Sequence, residues 1–383
     1  MKKNIFFLIF CFAYLSSFAQ DSNNELLKKL VEKEILTQKE ADEIANESSS
    51  KTEKPTFGDK VEKIRDAFNT PYMEFGGYGL LQYKYSDVSK TKHNFEPRVL
   101  FLHMTGRLPY NIGYYALFDF VDPQLYEFYV DWNPSKKFNV RLGQMKIPFT
   151  IENPMSLTVL ETVHYTRSIS ALAGMGDDVL KLQNGINNSG RDIGIQFSGS
   201  FLPGNGHDFL EYKLGLFQGS GMTSSDKNNS KDFAGTVMLQ PIKDLRIGGG
   251  AHFGKATYSN LAGYEPEADH VRNRWTIGTE YQSDRLYCRA EWIRGKDGTT
   301  QKEGLYGTLQ YYLLPEKINV VGKVDYFNQD RSIENEVMDY SLALNYFFYT
   351  RCRVQLNYTY SDYSNVWGDK NSNNIFGQLQ IVF

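Results

Sequence analysis

From Met73 to the end of the chain, apolar and polar residues alternate in short runs separated by turn-forming residues. The last run shows the period most simply. Phe383, Ile381, Leu379, Gly377 and Ile375 fall on one face of an extended segment. Gln380, Gln378 and Asn374 fall on the other, broken only by Val382 and Phe376. A period of two describes a strand with one oily face and one wet face. In Arg351–Ser361, Cys352, Val354, Leu356, Tyr358 and Tyr360 are expected to face outward, with Arg351, Arg353, Gln355, Asn357 and Thr359 inward. In Ile318–Phe327, Val320, Val324 and Tyr326 face out, and Asn319, Lys323 and Asp325 face in. Such runs give about sixteen strands. The first is Met73–Tyr85, the fifth Phe138–Pro148, the sixth Asp192–Ser200 and the last Asn374–Phe383.

The connections sort the strands. Leu108–Asn111, Asn133–Lys137, Ser283–Arg285, Leu314–Lys317 and Tyr349–Thr350 are short turns, several carrying Pro, Asn or Asp. Between them lie mostly longer polar stretches: Ser86–Glu96, Thr223–Lys231, Lys255–Asn273, Lys296–Glu303 and Asp362–Asn373. Val121–Gln124 and Leu202–Leu210 break this alternation. Short turns alternating with long loops, an even strand count and a strand ending flush on Phe predict an all-β, antiparallel transmembrane β-barrel of about 16 strands. A soluble β-sandwich also alternates, but it rarely runs so many strands through hairpin connections alone.

The start of the chain agrees with a surface destination. Lys2 and Lys3 precede an apolar run, Ile5–Leu15, and Ser17-Phe18-Ala19 is a small-x-small cleavage site, so residues 1–19 read as a signal peptide. Cys11 lies inside the apolar run, which argues against lipoprotein processing. Leu26, Leu27, Leu30, Val31 and Ile35 form a helical stripe, and Thr37-Gln38-Lys39-Glu40 is a capping box for a second short helix. Residues 20–60 are therefore expected to be a periplasmic helical segment and linker, packed on copies of itself or on a partner, with the barrel spanning 61–383.

Composition narrows the function. Mean hydropathy is −0.46 despite 26 Tyr and 26 Phe, as alternating strands require. Without Lys2 and Lys3, 40 basic residues face 45 acidic ones, which argues against nucleic acid as a partner. Cys288 and Cys352 are the thiols left after signal removal, and no CxxC spacing or HExxH is present. Neither a metal nor a cofactor is expected. Asp269-His270 and Asp177-Asp178 are the residue types of a surface protease, where a carboxylate orients a basic histidine. Both pairs are expected in loops, where adjacent polar residues are common. A docking or adhesive scaffold is the other alternative, carried by the polar loops Ser220–Lys231 and Tyr258–Asn273. Gly248-Gly249-Gly250 lies inside a strand and is no phosphate-binding loop.

The longest stretch without strand character is 149–191. Met155, Leu157, Val159, Leu160 and Val163 make it apolar enough to pack on a wall, so it is expected to fold inward and narrow the pore. Its flanks carry Arg141-Leu-Gly-Gln-Met-Lys-Ile-Pro-Phe149 with Glu152-Asn153, and Gly190-Arg-Asp-Ile-Gly-Ile-Gln196. These runs resemble the phosphate-selective porin O and P family, whose third loop they flank. The helical segment Leu26–Ala45 is similar to one in family members from Bacteroidetes-type bacteria. The resemblance covers nearly all of the mature chain. It implies a sixteen-stranded, often trimeric porin of the outer membrane passing anions such as phosphate.

The candidate constriction and anion-binding residues are Arg141, Lys146, Arg167, Lys181 and Arg191, and the candidate lumen bases are Arg107, Arg289, Lys323, Arg351 and Arg353. Known members line the pore with arginine ladders and lysine clusters. Here Glu74, Asp119, Glu127, Asp131, Glu280, Glu291, Asp325 and Asp339 face inward too, and Glu152, Glu161, Asp177 and Asp178 share the loop. The expectation is a diffusion channel for small hydrophilic solutes with a weak anion preference.

Overall fold

A computed structural model describes residues 37, 39, 70, 72–176, 179, 189–204, 206–258 and 268–383. The chain divides into two units, Met1–Ala67 and Phe68–Phe383. The signal peptide and the helical segment and linker expected over residues 20–60 lie outside the described residues apart from Thr37 and Lys39.

The second unit is built of sixteen strands. They are β1 (Glu74–Ser86), β2 (His93–Leu108), β3 (Ile112–Asp119), β4 (Gln124–Ser135) and β5 (Phe138–Lys146). After the long insertion come β6 (Arg191–Gly204), β7 (His207–Phe217), β8 (Asp232–Ile242), β9 (Leu245–Tyr258) and β10 (Ala268–Gln282). The series closes with β11 (Leu286–Asp297), β12 (Thr300–Leu314), β13 (Ile318–Asp330), β14 (Asn335–Tyr349), β15 (Cys352–Tyr363) and β16 (Ser372–Val382). A short helix, α1 (Arg167–Leu172), lies in the insertion. Each strand pairs with its sequence neighbours, and β1 pairs antiparallel with β16 from Tyr78↔Val382 to Ser86↔Asn374, closing the barrel. Closure leaves no free sheet edge, so backbone N–H and C=O groups need no water where the wall meets lipid.

Facing follows the alternation. Leu342 is 67% exposed beside Ala343 at 7%, and Gln378 and Gln380 are buried at 2% and 0%. Val320, Val324, Val354, Leu356 and Tyr358 face outward, and Asn319, Lys323, Asp325, Arg353, Gln355 and Asn357 are buried inside. Two positions on β15 differ from the expected pattern. Arg351 precedes the strand, in a turn at φ 60, and Cys352 is buried with its sulfur taking the Val382 N–H at 3.3 Å. The cause is a register irregularity between Phe347 and Tyr349, which spends one residue at the start of the hairpin. Cys288 and Cys352 are both free thiols.

Several polar stretches expected as loops are strand. Leu202–Leu210 is a tight hairpin, with Pro203 opposite Asp208 and Gly204 opposite His207. Lys296–Glu303 belongs to β11 and β12, with Asp297 paired to Thr300. Asp297 and Lys302 are inside the barrel, where Asp297 meets Arg274 at 2.6 Å and Lys302 at 2.9 Å. Asp269 and His270 lie on β10 rather than in a loop. Adjacent strand residues point to opposite faces, so that pair cannot act as one carboxylate-histidine unit. Charged residues that ion-pair across a lumen look like loop in sequence, because no apolar partner betrays the strand.

Leu342 lies halfway along β14 on the outer face. Leu342→Arg is expected to lower unfolding stability in lipid bilayers by about 2–4 kcal/mol, the cost of a cation near the bilayer midplane. Equal denaturation midpoints for Leu342→Arg and Leu342→Ala would show that this face does not meet lipid.

Candidate functional site

The segment between β5 and β6 lies against the inner faces of β11 to β16. Its apolar residues Phe149, Leu160, Val163, Ile169 and Leu172 are buried. The wall accommodates them with small residues. A Cβ on Gly304 would stand 2.3 Å from Ser168 Cβ, and one on Gly295 would stand 2.7 Å from Leu172 Cδ2. These glycines are notches into which α1 settles. The helix is short and its N-cap, Thr166, makes no side-chain cap bond. The Asp325 carboxylate supplies the missing acceptor, taking the Arg167 N–H and the Ser168 hydroxyl.

Buried charge completes the seat. Arg289 is 1% exposed and donates to Glu152 at 2.9 Å and to Glu161 at 2.9 and 3.0 Å. Beside it, Glu291 accepts the Ile151 N–H at 2.7 Å and the Tyr306 hydroxyl at 2.7 Å. Further along the wall, side chains cap the segment's backbone. Arg353 donates to the Leu160 carbonyl at 2.8 Å, Asn345 to Glu161 O at 2.9 Å, and Lys323 to His164 O at 3.1 Å. Gln380 reaches Thr158 O at 3.1 Å, and Asn357 accepts the Val163 N–H at 3.0 Å.

The residues expected to bind anions therefore have other partners. Arg289 and Arg353 lie beneath the insertion and hold it rather than lining open water, while Lys323 holds it from the margin of a lumen cavity. Arg351 reaches Thr158 Oγ1 at 3.0 Å from its turn. Arg107 is exposed near the end of β2 and joins none of this network. Arg167 is paired with Asp339 at 2.7 Å, Arg191 with Glu127 at 2.6 Å, and Arg141 with Asp131 at 2.7 Å. Lys146 points its ammonium at Asn153 O, Met155 O and the Tyr165 hydroxyl. Three acceptors match the three N–H groups of a charged lysine. Lys181, Asp177 and Asp178 lie outside the described residues.

Open space remains on both sides of the insertion, along β12 to β16 toward the loop end and along β1 to β7 beyond it. Three cavities follow one another through the barrel. The first, ≈ 970 Å³, opens among loop residues such as Val88 and Trp367 and is lined by Lys84, Arg167 and Asp339. It shares His164, Tyr165 and Ser170 with a second, ≈ 790 Å³, bounded by β1 to β7. That one shares Ser198 and Lys213 with a third, ≈ 460 Å³, which ends at the turns near Lys136 and His207. The shared residues define a path from the loop end to the turn end, with His164, Tyr165 and Ser170 at the neck.

Sequence reasoning missed Arg98, which lines the second cavity. It donates to Val163 O at 2.7 Å and to Gln378 at 2.9 Å. A bulge opposite Leu80/Leu81, beside Pro97, turns it inward. Proline cannot donate to the ladder, so Pro97 within the strand was the available signal.

At the neck, the His164 imidazole contacts Gln82 Nε2 at 3.3 Å and the Phe376 ring edge-on at 4.7 Å. Its pKa is pushed well below 6.5 by desolvation within the enclosing wall, then by the positive charges of Arg98, Lys323 and Lys84. The ring also meets lumen water, which weakens both effects without changing their direction.

Two predictions follow from this seat. Arg289→Met leaves Glu152 and Glu161 without a cation, at a cost of about 3–5 kcal/mol to the seated insertion. Single-channel recording should show a larger, noisier conductance, and a quiet current of unchanged size would contradict the seat. Protonating His164 would add positive charge at the neck and move selectivity toward anions. With the pKa held down, wild type and His164→Gln should give the same reversal potential at pH 7.5 and at pH 5.5. An acid shift toward anions that His164→Gln removes would show that the imidazole charges.

Comparison with known proteins adds a family and a fold. The family model described as phosphate-selective porin O and P matches residues 75–260. Among curated proteins no significant match is found. Solved structures share the barrel. OmpT of Vibrio cholerae, an outer membrane protein in its trimer form, is 12% identical with a TM-score of 0.60, covering 81% of this chain and 99% of that one. An anion-selective porin from Comamonas acidovorans is 11% identical with a TM-score of 0.57, covering 81% and 99%. OmpF of Salmonella typhi, in complex with daunomycin, is 9% identical with a TM-score of 0.58, covering 82% and 98%.

Proposed function

Through residues 75–260 the chain belongs to the phosphate-selective porin O and P family, and from that premise we propose a selective path for this outer-membrane porin. Small hydrophilic solutes enter along β12 to β16, pass the neck at His164, Tyr165 and Ser170, and descend along the β1–β7 wall, with a modest preference for anions. The observation that carries the preference is the charge left unmatched in the second cavity. Arg141, Arg191 and Lys213 each have a carboxylate, in Asp131, Glu127 and Glu211. Arg98 and Lys146 are bonded only to neutral groups among the described residues. In a narrow lumen, two such charges are screened far less than charges on an open surface. Phosphate is one anion this field would favour. The surplus is small, so the channel is a biased diffusion pore rather than a phosphate relay.

We take a homotrimer as the assembled form, with residues 20–60 in the periplasm. The trimer form of OmpT supports the first of these, and the capping box and stripe support a compact segment for the second. No catalytic step is assigned to the lumen.

Reversal potentials in a potassium chloride gradient test the reading. The wild-type channel should favour chloride, and Arg98→Glu should move the potential toward the cation side. A cation-selective wild type would overturn the anion preference, and an Arg98→Glu channel with unchanged potential would remove Arg98 from the path.

A further inference from the structure

The second cavity has more aromatic wall than an inorganic anion can use. Across the neighbouring strands β2 to β5, four side chains stack as rungs: His103, Tyr115, Tyr129 and Arg141. The His103 and Tyr115 rings lie 5.8 Å apart, and those of Tyr115 and Tyr129 5.3 Å apart, both at an interplanar angle of 22°. The Arg141 guanidinium caps the stack 3.8 Å from the Tyr129 centroid. Tyr115, Tyr129 and Arg141 all line the cavity, and Arg98 stands on the same lining.

The geometry selects among solutes. Each tyrosine in the stack has both faces covered by its neighbours, so only ring edges are offered to the lumen. Sugars pack their C–H faces on open aromatic faces, and none is presented by Tyr115 or Tyr129. The positive edge of a tyrosine instead favours the negative face of another aromatic ring, in a T-shaped contact. Arg98 uses only one of its terminal nitrogens in hydrogen bonds, and among the described residues its other N–H groups make none. A planar guanidinium with a free edge matches a carboxylate. At ≈ 790 Å³ the cavity is of the size that holds small organic molecules.

We propose that this cavity is a holding site for small aromatic carboxylates, with the acid on Arg98 and the ring face against the edges of Tyr115 and Tyr129. The site deepens the porin reading and rests on it, since solute must reach the cavity through the conducting path. The Arg141 rung keeps the Tyr129 ring upright, and Asp131 keeps Arg141 in place.

The test compares two acids of equal charge and similar size, benzoate and cyclohexanecarboxylate, which differ in the π face. Each is titrated against the chloride current of the full-length protein refolded into planar bilayers. Benzoate should halve the current at about fivefold lower concentration, the discrimination expected of an aromatic pair. Tyr129→Leu should bring benzoate to the level of cyclohexanecarboxylate, with Tyr115→Leu as a second variant should the first not fold. Arg98→Gln should weaken both acids alike. A chloride-selective channel on which the two acids act equally would overturn this site while leaving the porin reading intact. A barrel that carries no ion current would overturn both.

Discussion

The contact on which the lumen depends is the buried group around Arg289. Its guanidinium holds Glu152 and Glu161 of the insertion against β11, with Tyr306 and Glu291 completing the hydrogen bonds. Burying ions is costly, and a buried pair adds little stability over an apolar alternative of the same shape. Its value here is position. Apolar contacts of Phe149 or Leu172 with the wall tolerate sliding by a residue or more. A doubly paired arginine does not, because any shift leaves a charge unpaired in a dry place. Hydrophobic burial brings the insertion to the wall, and the charges fix where it stops.

That fixed position makes the lumen lopsided. The insertion covers β11 to β16, and Gly295 and Gly304 let α1 lie closer than any side chain would permit. The cavity at the loop end is walled by β12 to β16, and the one beyond the neck by β1 to β7. Neck, cavity and stack are thus consequences of one asymmetry.

The barrel was legible in the sequence because its signal is local: each strand declares its period within a few residues, and closure needs only the count and the even number. All sixteen expected strands have a counterpart. Their ends were harder to read. Asp297 and Lys302 were taken for loop because their partners are one another and Arg274, not apolar neighbours. The inner face of a strand says only that a charge faces inward, not whether it meets water. Arg289 and Arg353 have the right parity and stand beneath the insertion. Arg98 sits at a bulge that breaks the parity count altogether, and no period-of-two argument reaches it.

Counting lumen cations therefore overstates the field felt by a permeating ion. A paired guanidinium, such as that of Arg141 or Arg191, is a dipole whose influence fades quickly with distance. A cation bonded to carbonyls keeps its full charge, because a carbonyl offers a lone pair without a net negative. The carbonyls around Lys146 belong to the insertion itself, Asn153 O and Met155 O, so folding the segment inward both narrows the path and leaves a positive charge beside it. In the proposed reading, constriction and part of the selectivity arise from the same contact. A channel that lost the inward fold would lose the selectivity with it, even with every basic residue still present.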